Sequence, residues 1–561
     1  MAVMQAAFHH RNASANRHLS TFAKIRGFSH QFRRLLLPEG QVWQTEEDTV
    51  IEWGDPAHML NPETLAKANL AGHEHSVFGR SWVHYHRPTH SLTLAVDRLG
   101  LFPILLAQRG QATYIASDAF ALSQLLGDEA ESESEALLEL LAYGQLLGEQ
   151  SSLRGVKHLH AGSVCHLNAE GSFQLWHETP YYLPRHSNTE AQACEAVLSA
   201  VDKRMQRDPD AVIPIDGNPD VRLLIAAAYA AGHRPRLLSY GFPGSRQLQL
   251  AQAIAEAVGA DLLIGALDDQ QFYSAHAVSA QLSGGEVPLH HVHPLICSEL
   301  VARTRGATLI TSTGSELYRN PSLDTGFTRL GLSGFKHNLF KNAQAYALES
   351  LSPLLTPFLN ALGGLRDYLY ERMNLRLSVY QSRAEDAAHY LEAVYLGERV
   401  RRQAIAEQQI LIRDYARSHP FLDEDVLLCL AGLSQSQRLN GRFYRHAIAK
   451  FSPRLSDLNW DASQHPWTDN ATSRLVGHTH LGGWCHYQDN SQCLEYLAKD
   501  TNSLRYALLQ VGLNEAEAEL GVNSLLEQAT PAHRLHLLGV LGAYNLWQSY
   551  LLTQRATARA A

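Results

Sequence analysis

Residues 211–231 read AVIPIDGNPDVRLLIAAAYAA: an apolar run, a polar turn carrying Gly217 and Pro219, and an Ala-rich segment that stops at Gly232. That order predicts a strand over 211–215, a loop, and a helix over 221–231. A loop that hands a strand to a helix N-terminus presents backbone N–H groups to an anion, which makes Asp216-Gly217-Asn218-Pro219-Asp220-Val221 a candidate phosphate-binding element; an ordinary turn capped by Asp or Asn has the same shape. An amphipathic helix is expected over 190–205 before it. After it come a strand over 236–242, a helix over 247–259 and a third strand over 260–264, the β and α alternation of a parallel sheet.

Outward toward the N-terminus the pattern changes. SWVHYH, SLTLAVD, PILLAQ and ATYIASD, beginning at Ser81, alternate apolar and polar positions between turn residues and predict a sheet-rich layer. Apolar positions at helical spacing over 133–147, ending at Gly148, predict a helix covering that layer. In VKHLHAGSVCHLNAEGSFQLWHE, two alternating strands joined by Asn168-Ala169-Glu170-Gly171 read as a hairpin.

The chain of 561 residues exceeds the roughly 250–300 at which one core stops growing, so two or three domains are expected. A net charge of -9 offers no basic field for a phosphate backbone and argues against nucleic acid as the main ligand. No run of about 18 apolar residues suggests a membrane span. Cys165, Cys194, Cys297, Cys429, Cys485 and Cys493 are scattered without metal spacing, as expected of reduced thiols in the cytoplasm. Residues 1–34 lack acids, which an organelle transit segment shares with an ordinary first strand and loop; the apolar punctuation over 28–37 suits the strand.

Four consecutive motifs then point to a family. Asp97-Arg98-Leu99-Gly100-Leu101-Phe102-Pro103 resembles the Asp-Arg-x-Gly-x-x-Pro segment of asparagine synthetases, and Tyr114-Ile115-Ala116-Ser117-Asp118 resembles the strand that follows it there. Leu141-Ala142-Tyr143-Gly144 and the turn over 154–162 are similar to that family's helix end and Gly-Val-x-x-Leu-x-Pro-Gly turn. The resemblance implies an N-terminal nucleophile-type αββα domain. Glutamine hydrolysis in that domain needs a cysteine as residue 2, exposed so that its α-amine serves as base. Here residue 2 is Ala2 and the first cysteine, Cys165, falls in a strand by pattern, so no glutaminase activity is expected. β-Lactam synthetases and lasso-peptide cyclases, relatives that cyclise their substrates, also lack that cysteine.

The resemblance continues to about residue 455. The loop at 216–221 stands where N-type ATP pyrophosphatases carry Ser-Gly-Gly-x-Asp-Ser, and Gly217 and Asp220 match it. Ser239, Tyr240 and Gly241 match the strand that meets adenine, and Glu286 in Gly285-Glu286-Val287-Pro288 stands where an acid faces substrate and nucleotide. Ser312, Gly314, Ser315 and Glu316 match the acidic loop that closes over ATP, with Asp220 and Glu316 left to hold magnesium. Ser418-His419-Pro420-Phe421-Leu422-Asp423 and Gly441-Arg442-Phe443-Tyr444-Arg445 match C-terminal motifs. The departures are physical: Asp216 replaces a serine and sets a carboxylate beside the anion, a repulsion of about 4 kcal/mol at 4 Å and an effective dielectric near 20. Val221 lacks the family's hydroxyl, Asp216 alternatively assists magnesium or caps the helix, and Arg222 offers compensating charge.

Residues 460–483 read as a loop, and Lys450, the nearest counterpart of the cyclases' lysine, sits at helical spacing as a surface residue. His290, His291 and His293 are too close along the chain to aim at one metal ion. Helices over 494–510, 515–528 and 531–554 either cover the sheet or form a homodimer face. The expectation is therefore an α/β protein: a glutaminase-like layer over 1–187, an ATP-pyrophosphatase-like parallel-sheet domain over 188–460 and a helical extension over 461–561. Its implied activity is AMP-forming, ATP- and Mg2+-dependent amide ligation on a small-molecule or peptide carboxylate, with Glu286 and Glu316 as catalytic candidates; the alternative is a binding or scaffold protein that has lost turnover.

Overall fold

The computed structural model describes residues 32–36, 41–70, 78–109, 112–168, 173–176, 187–216, 219–241, 243–266, 269–292, 295, 308–315, 317, 363–381, 384, 387–411, 416–438, 441–458, 498–528 and 531–560. Two sheets form its N-terminal part. Antiparallel strands β2 (Gln41–Gln44), β3 (Asp48–Gly54), β4 (Arg80–His86), β5 (Ser91–Ala95), β9 (Val164–Leu167) and β10 (Phe173–Trp176) lie in the order β10-β9-β5-β4-β3-β2. Strands β1 (Phe32–Leu36), β6 (Leu105–Arg109), β7 (Ala112–Ala116) and β8 (Val156–His158) lie in the order β1-β7-β6-β8, with β1 parallel to β7.

Side-chain alternation assigns each face. Ile51, Val83, Tyr85, Leu92 and Leu94 of the larger sheet share a core with Ile115 of β7, while Val50, Trp82 and Ala95 turn the other way onto Leu65 and Ala66 of helix α1 (Pro62–Leu70). On the smaller sheet Leu105, Ala107, Tyr114 and Ala116 face outward onto Leu122 of α2 (Ala119–Leu126). The layers run helix, sheet, sheet, helix.

The hairpin expected after residue 156 is present as β9 and β10, with Phe173 opposite Leu167. Val156–His158 is instead a third strand, in the other sheet, so the chain crosses between sheets at residues 159–163. The helix expected over 133–147 ends sooner, as α3 (Ser134–Tyr143), because Gly144 adopts a left-handed conformation with φ 71°. Among the described residues its core partners are helices and not the N-terminal sheets: Leu137, Leu140 and Tyr143 pack with residues 272–280, 365–377, 504–508 and 535–544.

A five-stranded parallel sheet follows: β11 (Val212–Pro214), β12 (Arg236–Gly241), β13 (Leu262–Ala266), β14 (Thr308–Ile310) and β15 (Ala416–Ser418), ordered β13-β12-β11-β14-β15. The connecting helices include α4 (Glu190–Arg207), started by a Thr189–Gln192 capping box, α5 (Pro219–Ala230), α6 (Arg246–Val258) and α7 (Asp269–Leu282). α5 begins two residues before its expected start because proline suits the first helical position. β13 begins two residues late: Gly259, at φ 67°, and the Ala260 N–H to Ala255 carbonyl bond of 2.9 Å consume the start of that run in the helix cap.

The helices toward the C-terminus include α8 (Gly363–Gln381), α9 (Glu424–Ala431), α10 (Arg442–Phe451), α11 (Asn502–Gln510), α12 (Glu515–Gln528) and α13 (Pro531–Ala560), with α13 longer than expected. No helix among the described residues is long and apolar enough to cross a membrane. Residues 1–31, and the expected loop over 460–483, lie outside the described residues.

Candidate functional site

In a doubly wound parallel sheet, ligands enter where the winding reverses, outside the carboxyl ends of the strands. Here β12 and β13 extend the sheet from one side of β11, and β14 and β15 from the other. The reversal falls between β11 and β14, so the described segments leaving these strands, 215–216 and 311–315, border the crevice expected there. Several of the sequence candidates sit at or just past these strand ends. Asp216 is half-buried just past β11, Asp220 is buried in the first turn of α5, and Val221 is buried behind it. Gly217, Asn218 and Glu316 lie outside the described residues.

Ser239, Tyr240 and Gly241 end β12, and the Ile215 N–H donates to the Leu238 carbonyl at 2.7 Å, holding the two strand ends together. Ser239 is fully buried and its hydroxyl has no hydrogen-bond partner among the described residues; the same holds for Ser315. Buried hydroxyls without partners are costly and suit a polar ligand or a water. Ser312, Gly314 and Ser315 form the turn after β14. The Tyr444 hydroxyl of α10 donates to the Ser315 carbonyl at 2.7 Å, and Gly314, at φ 87°, is pressed against Leu422.

Other candidates are engaged elsewhere. The Glu286 carboxylate accepts the Ser152 N–H at 3.0 Å and lies 3.6 Å from the Arg402 guanidinium. Burial raises its pKa against the opposing pull of Arg402. A Cβ added at the neighbouring Gly285 would lie 2.9 Å from the Trp547 Cβ, so this acid sits in a packed junction with the N-terminal layers and α13. An Arg222 N–H donates to the Leu458 carbonyl at 3.2 Å. Lys450 is exposed on α10, as expected of a surface lysine. His290 and His291 stack edge to face, with His291 3.1 Å from Glu407, and His293 lies outside the described residues.

A buried polar cluster joins Ser418 and Asp423 of the C-terminal motif to Asp55, His58 and Arg204, which the sequence reading did not single out. Arg204 of α4 bonds Asp423 through both terminal nitrogens and Asp55 at 2.8 Å, while Ser418 donates to Asp55 at 2.6 Å and His58 bonds Asp423 at 2.7 Å. Burial alone would raise the Asp55 carboxyl, but Arg204, His58 and Ser418 hold it well below the usual range. Asp55, His58 and Asp423 have metal-ligand reach, with donor atoms within 4.8 Å of one another. The Arg204 guanidinium, however, bonds both carboxylates and supplies the positive charge that a cation would bring. One signal was available in the sequence: Arg204 falls on the same helical stripe as Ala193, Cys194, Val197, Ala200 and Val201, where an arginine has to be paired.

In the N-terminal layers, Asp97 is fully buried and accepts N–H groups from Gly79, Leu99 at 3.1 Å and Leu101 at 2.8 Å. Burial nonetheless raises its pKa to about 6. Asp97 therefore organises the tight turn of the Asp-Arg-Leu-Gly motif. Cys165 is fully buried in β9 and burial pushes its thiol up to about 12, which makes it inert as a nucleophile.

No curated protein matches this chain. A family model for a glutamine amidotransferase domain does match, over residues 80–182, from β4 through β10, so the sheet-rich N-terminal part of the chain is similar to a glutamine amidotransferase domain.

Proposed function

We propose that the chain is an asparagine-synthetase-like protein, organised as a glutaminase-like domain over 1–187, a synthetase-like domain over 188–460 and a helical extension over 461–561, and that it acts as an ATP-dependent amide-forming ligase without glutamine hydrolysis. The observation that carries this reading is the juxtaposition of a glutamine amidotransferase-type segment with a parallel sheet whose winding reverses between β11 and β14. In this reading the N–H groups at the start of α5 bind the pyrophosphate of ATP, Ser239 to Gly241 border the adenine, and Ser312 to Ser315 close over the phosphates. Asp220 and Glu316 hold Mg2+. The buried hydroxyls of Ser239 and Ser315, which have no partner among the described residues, suit such a polar occupant. ATP would supply the AMP group that activates a substrate carboxylate for attack by an amine, with release of pyrophosphate.

Specific observations favour a second reading, a nucleotide-free binding or scaffold protein: Asp216 places a carboxylate just past β11, and Glu286 is occupied by Ser152 and Arg402. The two are separated by ATP–pyrophosphate exchange with Mg2+, run with asparagine and a panel of acids and peptides on wild type and Asp220→Ala. Exchange that depends on Asp220 is the expected result. Absence of exchange, together with no nucleotide-dependent rise in Tm where saturation at 100 times Kd would add about 2.7 kcal/mol, would establish the scaffold.

A further inference from the structure

One chain of hydrogen bonds leads from the N-terminal layers to the turn after β14. It starts at Asp55, which follows β3 and caps the short helical turn Pro56–His58 through the Ala57 N–H at 2.9 Å. The same carboxylate accepts the Ser418 hydroxyl at 2.6 Å and the His419 N–H at 3.0 Å, fixing the end of β15. The Ser418 carbonyl accepts the Thr311 N–H at 3.0 Å. The His419 ring, at Nδ1, lies 2.7 Å from the Thr311 hydroxyl, which donates to Thr313 at 3.0 Å; Gln408 also donates to Thr313.

Each link has a defined polarity. Burial and the nearby Arg417 hold His419 down to about 3, so its ring is neutral at physiological pH. Because the Thr311 proton is directed at Thr313, the Nδ1 of His419 carries the proton and donates to Thr311. Arg204 anchors the far end by pairing Asp55 with Asp423, and Leu422, between His419 and Asp423, packs against Gly314 at the other end of the turn. His419 Nε2 and Gln408 Oε1 have no partner among the described residues, while the bonds from Asp55 to Ser418 and His419 and from these to Thr311 tie the two segments together.

We propose that Ser418 and His419 are positioning residues through which the N-terminal layers set the 311–315 turn, and thereby the nucleotide pocket. The second half of this statement rests on the synthetase-like reading; the first stands without it. This gives a layer with no expected glutaminase activity a role in the other domain's site.

The test uses the full chain. Amide hydrogen exchange over residues 308–317 is compared in wild type, Ser418→Ala, Thr311→Val and the conservative Thr311→Ser, and each protein is titrated with Mg·ATP. Ser418→Ala and Thr311→Val should speed exchange over 308–317 by about tenfold, while residues 212–214 and 236–241 stay protected and Thr311→Ser behaves as wild type. The Kd for Mg·ATP should rise by about tenfold in the same two variants and not in Thr311→Ser. Asp55→Asn should reproduce the exchange change from the other side of the junction; should it fail to fold, Ser418→Ala, which removes only a neutral hydroxyl, decides the matter. Unchanged exchange at 308–317, or faster exchange across the whole sheet, would overturn the positioning role. Faster exchange with unaltered affinity would overturn its link to the pocket. A wild type that ignores Mg·ATP refutes the nucleotide reading, and the exchange result still judges the positioning.

Discussion

At the scale of single residues, the deciding feature is how buried charge is neutralised. Asp55 and Asp423 share Arg204, and removing one partner of such a group leaves an uncompensated charge at a cost of about 3–5 kcal/mol. Asp97 is neutralised differently: it has three N–H donors and, among the described residues, no salt-bridging cation. Its carboxyl keeps a proton up to about pH 6 in the folded chain, against 3.8 as the ordinary value. Between these pH values the native state binds more protons than the unfolded state, so the Asp97 contribution is complete below pH 4 and is lost as pH rises through 6. The loss amounts to about 3 kcal/mol. Urea unfolding from pH 4 to 7 should show wild type losing this much relative to Asp97→Asn over that window. A difference between the two that stays constant with pH would mean that Asp97 titrates normally.

At the scale of elements, the strand and helix that flank the phosphate-loop candidate were legible because each carries its own signal, an apolar run and an Ala-rich segment. What escaped was register and ending. Leu146 and Leu147 enter the same core as Leu140 and Leu141, so the apolar rhythm continued past Gly144 although the helix did not. Val156–His158 is too short for alternation to reveal which sheet it joins. The Thr311–Ser315 turn was found by motif, but its dependence on Leu422 was not, since that contact joins distant segments. An added Cβ at Gly314 would sit 2.2 Å from Leu422 Cδ2, in a backbone conformation of φ 87°. Gly314→Ala should therefore destabilise by about 2–4 kcal/mol, and a double-mutant cycle with Leu422→Ala should return a coupling of about 1–3 kcal/mol. Zero coupling in chemical denaturation would show that the two groups do not meet.

At the scale of the whole molecule, α13 is a helix that belongs to two cores. Leu535, Leu538, Leu541 and Tyr544 pack with α3, α8 and α11, whereas Trp547 and Leu551, farther along the same helix, pack on α2 and the smaller N-terminal sheet. Trp547 is fully buried, stacks on Tyr550 with ring centroids 5.5 Å apart, and meets Gly285 at the end of α7. A helix held at both ends by different layers ties their unfolding together, because neither layer can open without exposing part of it. Trp547→Ala should remove about 3–5 kcal/mol. Followed by hydrogen exchange, protection should fall together over residues 105–126, in the N-terminal layers, and over 269–282, in α7. Loss confined to 105–126 would reduce α13 to a cover for the smaller sheet, and the junction that carries Glu286, Ser152 and Arg402 would then have to hold the two parts together without it.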